Sequence, residues 1–116
     1  MTLSMEAVTV DSTEPGSLAR WWADALDGKI IADYGFYLAV AGAGAVLGFQ
    51  RVGEPTPGKN RVHLDFKAAD RLAEVARLRG LGASEVGEHE VPGMVWTVLA
   101  DPEGNQFCVS QELPAD

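Results

Sequence analysis

The sequence is poor in cysteine, in basic residues and in long apolar runs. One cysteine, Cys108, stands among 116 residues. No intramolecular disulfide can form, which suits a reducing compartment. Nine Lys and Arg face 17 Asp and Glu, for a formal net charge of -8. That deficit argues against a nucleic-acid partner, because gripping a phosphate backbone takes clustered cations. No apolar run approaches the ~20 residues of a membrane-spanning helix. The opening segment, Met1 to Val10, lacks the basic stretch and apolar run of a signal peptide. A cytoplasmic protein with neither nucleic-acid nor membrane partner is expected.

Apolar residues make up 47% of the chain, enough for a real core. The length fits one domain over residues 1–116. A domain of this size buries only about two thirds of its unfolded surface, so a partner chain adds useful burial. Arg51, Lys59, Arg61 and Lys67 gather the scarce positive charge. They read either as solvated strand edges or as a seat for an anionic group on a ligand.

Alternation and Val/Thr content predict a strand over Glu6–Asp11. Pro15 opens a helix, Leu18, Trp21, Trp22, Ala25 and Leu26 recur at its spacing, and Gly28 caps it. Strands near Lys29–Ala32, Phe36–Ala41 and Ala45–Val52 follow, the last two joined by a hairpin turn within Ala41–Gly44. Residues 53–60 hold Pro55, Pro57 and Gly58 and read as a linker between modules of about 5–52 and 61–112.

Arg61–Lys67 alternates strictly, with Val62, Leu64 and Phe66 apolar and His63 and Asp65 on the opposite face. Asp70 caps a helix reaching Arg79, with Leu72, Val75, Ala76 and Leu78 inward. Strands near Ser84–Val86, Met94–Ala100 and Asn105–Gln111 complete the chain. Asp101-Pro102-Glu103-Gly104 is a turn, and His89 falls in an exposed charged loop, Gly87–Pro92.

The halves resemble each other. Val8, Val10, Asp11, Leu18, Ala19 and Gly28 match Val62, Leu64, Asp65, Leu72, Ala73 and Gly82, every pair 54 positions apart. The expected fold class is α+β, two tandem βαβββ modules forming an incomplete barrel with an internal cleft. A helix covers one sheet face, and the other face turns to the cleft with His63 and Asp65.

With these modules in view, Lys59-Asn60-Arg61-Val62-His63-Leu64-Asp65 and the closing hairpin Trp96–Asn105 resemble the glyoxalase-like branch of the glyoxalase, bleomycin-resistance and dioxygenase (vicinal oxygen chelate) superfamily. The resemblance covers nearly the whole chain. It implies the fold, a tendency to form homodimers, and a repertoire from lyase or isomerase chemistry to drug sequestration. The fold does not choose among these.

In metal-dependent members of that superfamily, the resemblance implies one ligand on the first and last strand of each module. His63 stands at one such position. Gln50 stands where Glu is common, Cys108 where Glu is usual, and Thr9 (or Ala7, if the register slips by two) on the first strand. A divalent metal needs at least three good ligands. No metal or other cofactor is therefore expected; His63 and Gln50 would take part if one bound, and Asp65 shares the His63 face. His63 reads either as a structural residue bonded to Asp65 or Gln50, or as a general base with Asp65. Cys108 reads as a small buried apolar residue or as part of the ligand site. Trp96 offers a flat wall to an aromatic ligand.

The first expected function is a metal-free cleft, resistance-protein-like, that binds or sequesters an apolar or aromatic small molecule through Thr9, Gln50, His63, Trp96 and Cys108. The alternative is a glyoxalase-type lyase or isomerase with His63 and Asp65 as catalytic residues, with or without a metal. A third is a domain acting only through protein contacts.

Overall fold

A computed structural model describes residues 5–114. The chain divides into two compact units at Thr56/Pro57. The first contains β1 (Val8–Ser12), α1 (Pro15–Leu26), β2 (Lys29–Asp33), β3 (Tyr37–Gly42) and β4 (Ala45–Arg51). The second contains β5 (Leu64–Lys67), α2 (Arg71–Gly80), β6 (Ser84–Val91), β7 (Met94–Ala100) and β8 (Gln106–Glu112). The fold is α+β, with two βαβββ modules as the sequence predicts.

Each unit is a four-stranded sheet. The orders are β1-β4-β3-β2 and β5-β8-β7-β6, with the first strand of each module parallel to the last and the other neighbours antiparallel. A bulge interrupts the second strand of both modules, between Ile30 and Ala32 and between Glu85 and Gly87. The same irregularity at the same place supports the duplication more firmly than composition can.

The helix α1 buries Leu18, Ala19, Trp22 and Ala25, which repeat at helical spacing, beside buried Leu38, Val40, Leu47 and Phe49 of its sheet. The predicted Gly28 cap is displaced by one residue. Asp27 takes the left-handed conformation at φ 50°, and its N–H and that of Gly28 close the helix. Gly28 answers a different need: the Ala41 carbonyl oxygen occupies the place a Cβ would take.

The second helix departs further from expectation. It buries Arg71, Val75 and Leu78, whereas Leu72 is 65% exposed and Ala76 is also exposed. The reason is register. Strand starts (Val8, Leu64) and helix starts (Pro15, Arg71) stand 56 apart, not 54. Ala19 and Trp22 therefore correspond to Val75 and Leu78. The 54-residue spacing returns at the helix ends, because α2 is ten residues long and α1 twelve.

The strand predicted from Arg61 begins only at Leu64, and Val62 is 72% exposed. Asn60 explains the delay. Its Nδ2 donates to the carbonyls of Val62 and Gln106, and its Oδ1 accepts from the Gln106 N–H at 2.8 Å. The side chain thus imitates a strand neighbour and holds 61–63 in a bend. The predicted strand at Ser84–Val86 runs on to Val91, so Gly87–Pro92 is not a loop. Pro92-Gly93, with Gly93 at φ 88°, turns the chain directly into β7. The Asp101 turn forms as predicted: its Oδ1 accepts from the N–H groups of Glu103 and Asn105, both at 2.9 Å.

Candidate functional site

The pleat decides which residues are available. In the second unit, Leu64, Phe66, Phe107, Val109, Val95, Thr97 and Leu99 share the face toward α2. Asp65, Cys108, Trp96 and Val98 share the other, by the same register. A cleft of about 620 Å³ opens on that second face, lined by these four, His63, His89, Lys59, Val86 and Met94 among others. Every lining residue belongs to the second unit.

One side of the cleft is flat and apolar. The His89 and Trp96 rings stack at 5.4 Å between centroids and 26° between planes, held as cross-strand partners of β6 and β7. Val86, Met94 and Val98 extend that surface. The charged-loop reading hid His89. It is exposed as expected, but it sits on a strand, and the Pro92-Gly93 turn signal was the clue.

Another part of the lining is polar. His63 Nε2 lies 3.3 Å from Asp65 Oδ1. Asp65 and Cys108 are direct partners on parallel strands. A ligating atom from each of His63, Asp65 and Cys108 falls within 4.8 Å of the other two. Burial pushes the Cys108 thiol up from the usual range. The Asp65 charge and a hydrogen bond from the thiol to that carboxylate add to this, while Lys59 pulls weakly the other way. The thiol is thus held neutral, as a weak donor.

Thr9 and Gln50 belong to the first unit and do not line this cleft. They share the face of their own sheet that carries Asp11, Tyr37 and Gly48. Gly48 has no side chain because the Tyr37 hydroxyl and Thr9 Oγ1 fill the space where a Cβ would sit. At the 56-residue spacing, the counterpart of His63 is Ala7 and that of Asp65 is Thr9. The two-residue register slip is the arrangement found.

A glyoxalase-like domain family model matches residues 7–110. The chain belongs to the glyoxalase-like domain family. No curated protein sequence matches it. Solved structures share its fold. A glyoxalase/bleomycin resistance protein/dioxygenase family enzyme from Burkholderia phytofirmans PsJN is similar at TM-score 0.79 and 17% identity, over 93% of this chain and 98% of that one. Lactoylglutathione lyase from Agrobacterium tumefaciens gives 0.71 and 14%, over 93% and 92%. A mutant of the fosfomycin resistance protein FosX from Listeria monocytogenes, complexed with Mn(II) and 1S,2S-dihydroxypropylphosphonic acid, gives 0.79 and 14%, over 99% and 93%.

The donor chemistry tests whether a glyoxalase-like metal centre of that hard-ion kind fits here. Manganese and magnesium favour carboxylate, carbonyl and water oxygens. At the positions where the resemblance places ligands, this chain offers Ala7, an amide at Gln50, His63 and the thiol of Cys108. Only His63 is a good ligand for such an ion. The residues do not fit it.

Proposed function

We propose that this glyoxalase-like protein binds a small molecule with a flat apolar or aromatic part in the second-module cleft, without a hard-ion metal centre, so that it sequesters or carries its ligand. The stacked His89–Trp96 pair carries the reading. It presents a rigid, partly exposed aromatic surface inside a concavity of suitable size, and ligand pockets of ~300–1,000 Å³ are commonly of this make-up. His63, Asp65 and Lys59 supply polar groups that orient the ligand. The test is an aromatic-fragment melting screen with EDTA present. Hits raise the melting temperature in proportion to log concentration well above Kd. Trp96→Ala, still folded, weakens them about tenfold or more, in line with losing one stacking platform. Hits untouched by Trp96→Ala contradict the reading.

The His63–Asp65 contact favours a second reading, a lyase or isomerase of the glyoxalase type. An imidazole held by a carboxylate and open to a cleft has the makings of a general base. Turnover of an α-proton-bearing substrate that disappears in folded His63→Ala supports it; turnover that survives rules it out.

Homodimerisation, which the family resemblance implies, belongs to the same proposal. Exposed Ile31, Tyr34 and Phe36 of the first unit give a second copy apolar surface to cover. Light scattering on the purified protein tests it, and a monomer mass across the micromolar range contradicts it. No helix among the described residues is long and apolar enough to cross a membrane, and cytoplasmic residence remains part of the proposal.

A further inference from the structure

The mismatch with a hard-ion centre has a positive side. We propose that His63, Asp65 and Cys108 form a site for a borderline-soft divalent ion, zinc in the first place, built wholly within the second module. The donor set is one imidazole nitrogen, one carboxylate oxygen and one thiol sulfur. Imidazole and thiolate together select zinc over magnesium or manganese. Three protein ligands with an open fourth position are the usual make-up of a zinc centre that receives a small molecule.

The placement suits the ion. Asp65 and Cys108 are fixed opposite one another by the β5–β8 ladder, so neither depends on a flexible loop. His63 stands two residues before Asp65, in the bend that Asn60 holds against Gln106. Zinc bonds of about 2.0–2.3 Å at tetrahedral angles set ligand atoms about 3.3–3.6 Å apart. His63 Nε2 and Asp65 Oδ1 are already 3.3 Å apart. The largest separation in the triad, 4.8 Å, closes by small side-chain rotations.

Charge balance points the same way. On binding, the Cys108 proton leaves to solvent and the sulfur–zinc bond forms. The dication with thiolate and carboxylate is then neutral, so Lys59 in the same cleft meets no added positive charge. Asp65 is not at a position where the family resemblance places a ligand, and Gln50 has no part in the site. The aromatic wall is separate, so this inference does not rest on ligand stacking.

The experiment titrates the metal-stripped full chain with Co(II), Zn(II) and Mn(II). Co(II) should produce a thiolate-to-cobalt charge-transfer band and the visible bands of tetrahedral cobalt. One equivalent of Zn(II) should erase both and raise the melting temperature, with about one proton released per ion. Cys108→Ser should abolish the charge-transfer band. His63→Ala should weaken zinc by more than the ~10–100-fold that loss of an outer-shell partner costs. Gln50→Ala should change nothing. Zinc binding that survives Cys108→Ser, cobalt spectra without the sulfur band, or stabilisation by Mn(II) that depends on Gln50 would each overturn the site. Fragment binding in EDTA is read separately, so either proposal can fail while the other stands.

Discussion

The two modules share a plan and differ in what they do with it. In the first, α1 spends its inner face on Leu18, Ala19, Trp22 and Ala25. In the second, the shorter α2 places a buried arginine at the first of its three inward positions. Arg71 Nη1 donates to Thr97 Oγ1 at 2.6 Å, Nη2 lies 3.1 Å from Glu88, and Nε has no partner. The opposite sheet faces diverge as well. Thr9, Tyr37 and Gln50 surround Gly48 in one, whereas His63, Asp65, Cys108 and Trp96 surround a cleft in the other. Duplication preserved the scaffold, while the titratable and aromatic groups gathered in the second copy.

The contrast between the helices predicts the largest effects. Trp22→Ala should cost about 3–5 kcal/mol and Leu18→Ala about 2–5 kcal/mol by urea unfolding. Leu72→Ala, at the position the 54-residue spacing equates with Leu18, should stay within about 0.5 kcal/mol. Equal losses at Leu18 and Leu72 would restore that spacing and break the comparison. Glu88→Gln should cost less, about 1 kcal/mol. It weakens the partner of a buried guanidinium, but Glu88 itself is 53% exposed, and water screens much of the attraction.

The smallest effect is chemical. Because burial and Asp65 raise the Cys108 thiol, its neutral form is favoured in the folded chain. The associated stability is present below the ordinary thiol range and is lost as pH rises through the raised value. In EDTA, iodoacetamide should therefore alkylate folded Cys108 more slowly than a free thiol through mildly alkaline pH. Asp65→Asn should speed that reaction by removing the like charge. An unchanged rate would place the whole effect in burial.

Much of the fold was legible because it rests on local signals. Alternation marked most strands, Pro15 and Asp70 marked helix starts, and Asp101-Pro102-Glu103-Gly104 marked the last hairpin. Register was the part hidden from composition. A slip of two preserves strand parity, so Val62 and Leu64 looked equally apt to begin β5. Only the Asn60 side chain, bonding across 46 residues to Gln106, decides between them. The same slip carried Leu72 off the buried face and made Thr9, not Ala7, appear to match His63. His89 was missed because a bulge at Val86 breaks the alternation that would have revealed its strand. Of the expected cleft residues, His63, Asp65, Trp96 and Cys108 come together, since three of them are neighbours by sheet register.

The central claim is that the second module's open sheet face holds the ligand. Amide and indole NMR of the labelled chain, titrated with an aromatic fragment selected by melting shift, measures this directly. The account predicts that the Trp96 indole N–H and the amides of β6, β7 and β8 move, while the Trp21 and Trp22 indoles and the amides around Thr9 and Gln50 do not. Shifts centred on the first module, with Trp96 unmoved, would contradict it.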